Sequence, residues 1–205
     1  MSRPLIVALH GVGATARSMA AALGPLKDVA EVVALDGCEA FDRGGAGRQW
    51  FSVTGVTEVD RPLRVAAAMP RLVDRLDRLA RDRAVDRDAL ILVGFSQGAI
   101  MTLALVAQGL HHGRAVAIAG RLAAPVLPIT GRAASLLLVH DQDDPVMPSS
   151  LADEAAARLG AAGHQVVLQH TQGVGHGIGA STSTAIRDWL SIARAIGPDS
   201  TFIEG

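Results

Sequence analysis

The sequence predicts an α/β protein: a mainly parallel sheet of six to seven strands with helices on both faces. Three observations predict it. Six short runs rich in Val, Ile and Leu, with little polar alternation, read as strands covered on both sides. Longer stretches with helical spacing of apolar residues lie between them, the order expected of a parallel sheet with crossover helices. The chain has 205 residues, 49% of them hydrophobic, which is enough for one sizeable core and argues against disorder. We therefore expect one domain over residues 1–205, with 198–205 as a loosely held tail.

The strands are expected at 5–9, 31–35, 89–93, 115–119, 135–139 and 165–169. The first follows only a short start, MSRP, so the N-terminus reads as a strand and not as a signal peptide. After the second strand comes GCEAFDRGGAGRQWFSVTGVTEVDR at 37–61, glycine-rich and too long for a plain connection. Ordered loops of that length are often functional. Residues 63–82 place Val65, Met69, Leu72, Val73, Leu76 and Leu79 on one helical face, with Arg71, Asp74, Arg75 and Arg78 opposite. Pro70 interrupts this pattern and predicts a kink or a late helix start. Further helices are expected at 97–109, 150–160 and 181–196.

Composition removes several functions. The net charge is −1, with 19 basic and 20 acidic residues, so no electrostatic grip on nucleic acid or anionic membrane is expected. Lys27 is the only lysine; with no lysine at Gly11 and Gly13, a phosphate-binding P-loop is excluded. Cys38 is the only cysteine, so no internal disulfide can form. No run reaches the length of a membrane-spanning helix. A cytoplasmic protein, without stable membrane insertion and compatible with a homodimer, is the expectation.

In open α/β sheets ligands gather beyond the carboxyl ends of the strands. There, in ALILVGFSQG at 89–98, Ser96 stands between Gly94 and Gly98, just past a strand and just before a helix. That is the setting of a nucleophile elbow, in which the turn is so tight that side chains at either glycine would collide with neighbouring elements. The bland alternative is a serine that merely caps the helix.

A nucleophilic serine needs a base, and the base an orienting acid. Downstream lies LLLVHDQDDPVMP at 136–148, then GVGHGIG at 173–179, each following a strand. Asp144 is the preferred acid because Pro145 and Pro148 constrain its loop; Asp141 and Asp143 remain alternatives, and Asp143 also reads as part of a solvated turn. A cation site in the three aspartates is disfavoured for want of other oxygen ligands, so no metal is expected. Among seven histidines, His176 is the preferred base because its glycine-rich loop can bring it over Ser96. His140 reads as a support for the acid's loop, His111 and His112 as a helix-end pair, and His164 and His170 as surface residues. The amides of Gln97 and Val12 are the expected oxyanion donors. Trp50 and Phe51 read either as liners of an acyl pocket or as anchors of their loop to the core, and Met147 as a further substrate contact.

Four segments, LHGVGA at 9–14, GFSQGA at 94–99, HDQDDPVMP at 140–148 and GHGI at 175–178, together with Trp50-Phe51, resemble the phospholipase/carboxylesterase family of α/β-hydrolases, which includes the acyl-protein thioesterases. The resemblance implies a compact α/β-hydrolase fold without a large cap domain. It implies Ser96 as nucleophile, Asp144 as acid, His176 as base, and Val12 and Gln97 as oxyanion donors. It further implies hydrolysis of a small-molecule ester or acyl substrate without a cofactor, with short or medium acyl esters, thioesters and lysophospholipids as candidates. The chain departs from the family at Asp141, where glycine usually follows the histidine. The competing reading is a receptor-like α/β-hydrolase that binds a small ligand with little turnover.

Overall fold

The computed structural model describes residues 3–195, with side chains to Ser191. Six parallel strands form the sheet: β1 (Leu5–Leu9), β2 (Glu31–Leu35), β5 (Ile91–Phe95), β6 (Arg114–Ile118), β7 (Ser135–Asp141) and β8 (Gln165–Thr171). Their spatial order is β2-β1-β5-β6-β7-β8. A separate two-stranded antiparallel hairpin, β3 (Glu39–Ala40) with β4 (Arg48–Gln49), interrupts the glycine-rich stretch. Among the described residues four α-helices lie between strands, α1 (Ala16–Ala22), α2 (Arg61–Asp82), α3 (Gln97–Ala107) and α4 (Ser150–Ala161), and α5 (Ala180–Ala195) follows β8. The expected tail at 198–205 lies outside the described residues.

The strand sequences divide their side chains between two cores. Ile6, Ala8, Ile91 and Val93 face one way and pack with Met19 of α1 and with Ala185, Ile186 and Trp189 of α5. Val7, Leu9 and Leu92 face the other way, onto Val65, Met69, Leu72 and Leu76 of α2 and onto α3 and α4. Fully burying such a side chain contributes roughly 1.5–3 kcal/mol, so both layers of helices are needed to cover a sheet with no polar face. Every residue of α3 is buried, as suits the helix that follows the central β5.

Helix α2 runs from Arg61 across Pro70 to Asp82, so the helix does not start late. The reason is exposure. Pro70 and Ala66, four residues before it, are both exposed, so the carbonyl that loses its intrahelical donor can turn to water. Helix α1 was not legible in the sequence. Its start is a capping box in which the Thr15 hydroxyl accepts from Ser18 N and the Ser18 hydroxyl accepts from Thr15 N. Serine replaces the usual Glu or Gln there.

Two histidines differ from expectation. His164 is 7% exposed and takes a hydrogen bond from Ala134 N through Nδ1. His111 lies beyond the end of α3, fully buried, with Nδ1 3.4 Å from Asp88; burial lowers its pKa.

The chain leaves β1 toward the β2 edge and returns on the other side through β5. The order of connection therefore reverses between β1 and β5, which makes the carboxyl ends of these strands the natural crevice for a ligand. The expected nucleophile and the expected oxyanion loop follow those two strands.

Candidate active site

Ser96 follows β5 with φ 52° and ψ −114°, a left-handed conformation costly for a residue with a side chain. The two flanking glycines make it attainable. A Cβ at Gly94 would sit 2.3 Å from Gly98 O, and one at Gly98 would sit 2.1 Å from Leu9 O. The elbow thus presses the start of α3 against both β5 and β1. Replacing Gly98 with Ala should destabilise the fold by about 3 kcal/mol or more, because the atom it meets is backbone that cannot move aside. Chemical denaturation checks this; a variant within 1 kcal/mol of the wild type (roughly a fivefold change in the unfolding equilibrium) would contradict it.

The loops after β7 and β8 bring the other two side chains to Ser96. His176 Nδ1 donates to Asp144 Oδ2 at 2.7 Å, which fixes the tautomer and leaves Nε2 free to accept from Ser96 Oγ at 2.9 Å. Phe95 braces the imidazole, with ring centroids 5.2 Å apart. Ser96 and Asp144 are buried, whereas the His176 side chain retains 16% exposure.

Asp144 is held on both oxygens. Its Oδ1 accepts from Val146 N at 2.8 Å and Met147 N at 2.9 Å. On the Oδ2 side, buried His140 stands 3.3 Å away through Nε2, the nitrogen that also donates to Met147 O at 2.8 Å. Burial works to raise the Asp144 pKa, but the hydrogen bonds from His176, Met147 N and Val146 N outweigh it and hold it below the usual carboxylate range.

Asp141 is buried and serves another purpose. Its Oδ2 accepts from Thr171 Oγ1 and Val174 N, both at 3.0 Å, and its Oδ1 accepts from Asp143 N. It ties the start of the His176 loop to the end of β7. Burial again opposes ionisation, and donors led by Val174 N overcome it, so its pKa is lowered. Asp143 is exposed.

The loop after β1 completes the surroundings. A Cβ at Gly11 would lie 3.2 Å from Ser96 Cβ, so this backbone runs against the nucleophile and Val12 follows directly. Gln97 is the first residue of α3, where the amide has no partner within the helix. Three hydrogen bonds clamp the β1 loop to the hairpin: Gly13 N to Arg48 O at 2.9 Å, Arg48 N to Ala14 O at 2.8 Å, and Trp50 Nε1 to His10 O at 2.8 Å. His10 is buried and neutral by its partners, donating from Nδ1 to Gly11 O and accepting at Nε2 from Gly37 N. Burial pushes its pKa down.

Trp50 and Phe51 are 1% and 3% exposed and pack in the core on the α2–α3 side of the sheet. Their backbone groups are held there by Gln97. The side chain of Gln97 accepts from Trp50 N at 2.8 Å and donates to Phe51 O at 2.7 Å, drawing the pair into the core beside the elbow. Met147 lies in the loop that holds Asp144. Its side chain packs partly buried against the core, and its backbone serves Asp144 and His140. Sequence reasoning missed the hub of this loop. Asp42 accepts from Gln49 Nε2, Ser52 Oγ, Val53 N and Thr54 N, and the Gln49 contact leads in holding its pKa far down.

No group of three or more His, Cys, Asp or Glu able to hold a metal occurs among the described residues, and no helix there is long and apolar enough to cross a membrane.

Residues 1–194 match the phospholipase/carboxylesterase family. The esterase YpfH of Escherichia coli (strain K12) is 37% identical over 182 residues, covering 86% of this chain and 77% of that protein. Among solved structures, esterase PE8 superposes with a TM-score of 0.79 at 25% identity, covering 93% of each chain. The Bacillus cereus carboxylesterase shares the fold with a TM-score of 0.77 at 18% identity, covering 93% of this chain and 89% of its own. The chain belongs to the phospholipase/carboxylesterase family and is a hydrolase with the α/β-hydrolase fold.

Proposed function

We propose that the protein hydrolyses carboxylic esters of small molecules through an acyl-enzyme on Ser96, with His176 as general base and acid and Asp144 as the orienting carboxylate. The observation that carries this reading is the unbroken chain of hydrogen bonds from Asp144 through His176 to Ser96 Oγ. As Ser96 Oγ attacks the carbonyl carbon, Nε2 takes its proton. The carbonyl π pair moves onto oxygen, which the amides of Val12 and Gln97 receive. When the intermediate collapses, the bond to the leaving oxygen breaks with its electron pair, and that oxygen takes the proton from Nε2. Water, deprotonated by the same nitrogen, then releases the acid. Asp144 stays ionised throughout, as its lowered pKa allows. Nothing in the cycle calls for a cofactor.

Short and medium acyl groups suit a chain in which only a small hairpin stands between β2 and α2. Thioesters and lysophospholipids present the same carbonyl chemistry.

Rapid mixing with p-nitrophenyl acetate should release a burst of p-nitrophenol close to one equivalent per enzyme. The quenched protein should carry one acetyl group on the peptide containing Ser96. A label on another residue, or turnover without any covalent species when deacylation is slowed at low pH, would refute the acyl-enzyme route.

A further inference from the structure

Beside the triad lies a mostly apolar groove of about 250 Å³ that none of the steps above requires. It is lined by Ser18, Met19 and Ala22 of α1 and, along the β1 loop before that helix, by His10, Gly11 and Ala14. His176 and the two residues after it, Gly177 and Ile178, also line it. Phe95, only partly buried, contributes an aromatic surface. The groove therefore sits on the α1–α5 face of the sheet, away from the core that swallows Trp50 and Phe51.

We infer that this groove is the subsite for the leaving group, and that it takes a small apolar alcohol, alkyl or aryl. The inference rests on the hydrolase reading and specifies which half of the ester goes where. The tetrahedral carbon formed on Ser96 carries three other substituents. The oxyanion faces the amides of Val12 and Gln97. The leaving oxygen must lie within hydrogen-bond reach of Nε2, since that nitrogen protonates it. The acyl group takes the remaining direction. A groove walled by His176 and the two residues after it lies on the side of the leaving oxygen, so the group beyond that oxygen is the one it receives. Its chemistry matches an uncharged apolar group. Met19, Ala22, Phe95 and Ile178 supply carbon surface, and no charged side chain other than a protonated His176 lines it. Its volume is below the range usual for drug-sized ligands and suits one ring, two fused rings or a short chain. Its width depends on α1 presenting alanine at position 22, where a larger side chain would project across the opening.

The test varies the two halves of the ester independently. Wild type, Ala22→Phe and the control Ala21→Phe, an exposed α1 position outside the groove, are assayed with methyl, butyl and 1-naphthyl acetate. The same proteins are then assayed with methyl esters of increasing acyl length. In Ala22→Phe the ratio of kcat/KM for 1-naphthyl over methyl acetate should fall about tenfold, the cost of losing a modest apolar contact. Ala21→Phe should keep the wild-type ratio, and the acyl-length optimum should be common to all three. If Ala22→Phe instead moves the acyl-length optimum, the groove holds the acyl chain and the assignment is overturned. If neither profile moves, the groove is no subsite. Failure of the hydrolase reading looks different: wild type would then turn over no ester beyond the rate of Ser96→Ala.

Discussion

Ser96→Ala should lower kcat for p-nitrophenyl ester hydrolysis by roughly 10⁴- to 10⁶-fold while leaving the melting temperature near that of the wild type. The loss is large because alanine removes the oxygen that attacks the carbonyl and gives its proton to His176, whereas the amides of Val12 and Gln97 still polarise a bound carbonyl and leave residual turnover over water. The fold should tolerate the change because alanine inherits the same backbone demand as serine, and Ser96 Oγ contributes only the hydrogen bond to His176. The experiment pairs steady-state kinetics with thermal unfolding. Retention of activity within tenfold would remove Ser96 from the mechanism.

The second large effect separates the aspartates. Asp144→Asn should cost about 10⁴-fold in kcat. Its new N–H would face His176 Nδ1 and select the tautomer with the proton on Nε2, which then cannot accept from Ser96. The same N–H would also confront His140 Nε2–H, a donor against a donor, in a pocket where Asp144 now accepts. Asp141→Asn removes no group that touches the imidazole. It gives up one acceptor at the start of the His176 loop, and the resulting misplacement should cost about 10- to 100-fold. Kinetics on both variants decide the matter: the reverse ranking would make Asp141 the acid.

Much of the candidate site is legible in the sequence because backbone geometry forces the residue types. Only glycines at 94 and 98 permit the elbow, and an apolar run before Ser96 fixes where it stands. The order serine, aspartate, histidine after three strands follows from parallel topology, which delivers every strand's carboxyl end to one edge. What stays hidden depends on partners far along the chain. Trp50 looks like a loop aromatic until Gln97 and His10 O are seen to bond it from 47 and 40 residues away. Asp42 reads as one more polar loop residue, although it gathers donors from Gln49 to Thr54. Helix α1 spans only seven residues, too few for a periodic signal, and its Thr15-to-Ser18 box lacks the glutamate that marks such starts. The third strand begins two residues later than the apolar run suggests, because Asp86 captures Asp88 N and winds Arg87–Ala89 into a 3₁₀ turn.

The positive φ at Ser96 separates two optima that coincide at most other positions of the chain. Ranked by folding free energy alone, glycine would be the better residue there, since it occupies that region of backbone space without penalty. If Ser96 is the nucleophile proposed above, it is kept by what the protein does and against what the fold prefers. A mutational landscape scored for abundance and one scored for turnover should disagree most sharply at this position. A sequence optimised only for stability would be expected to lose its chemistry there before it lost its shape.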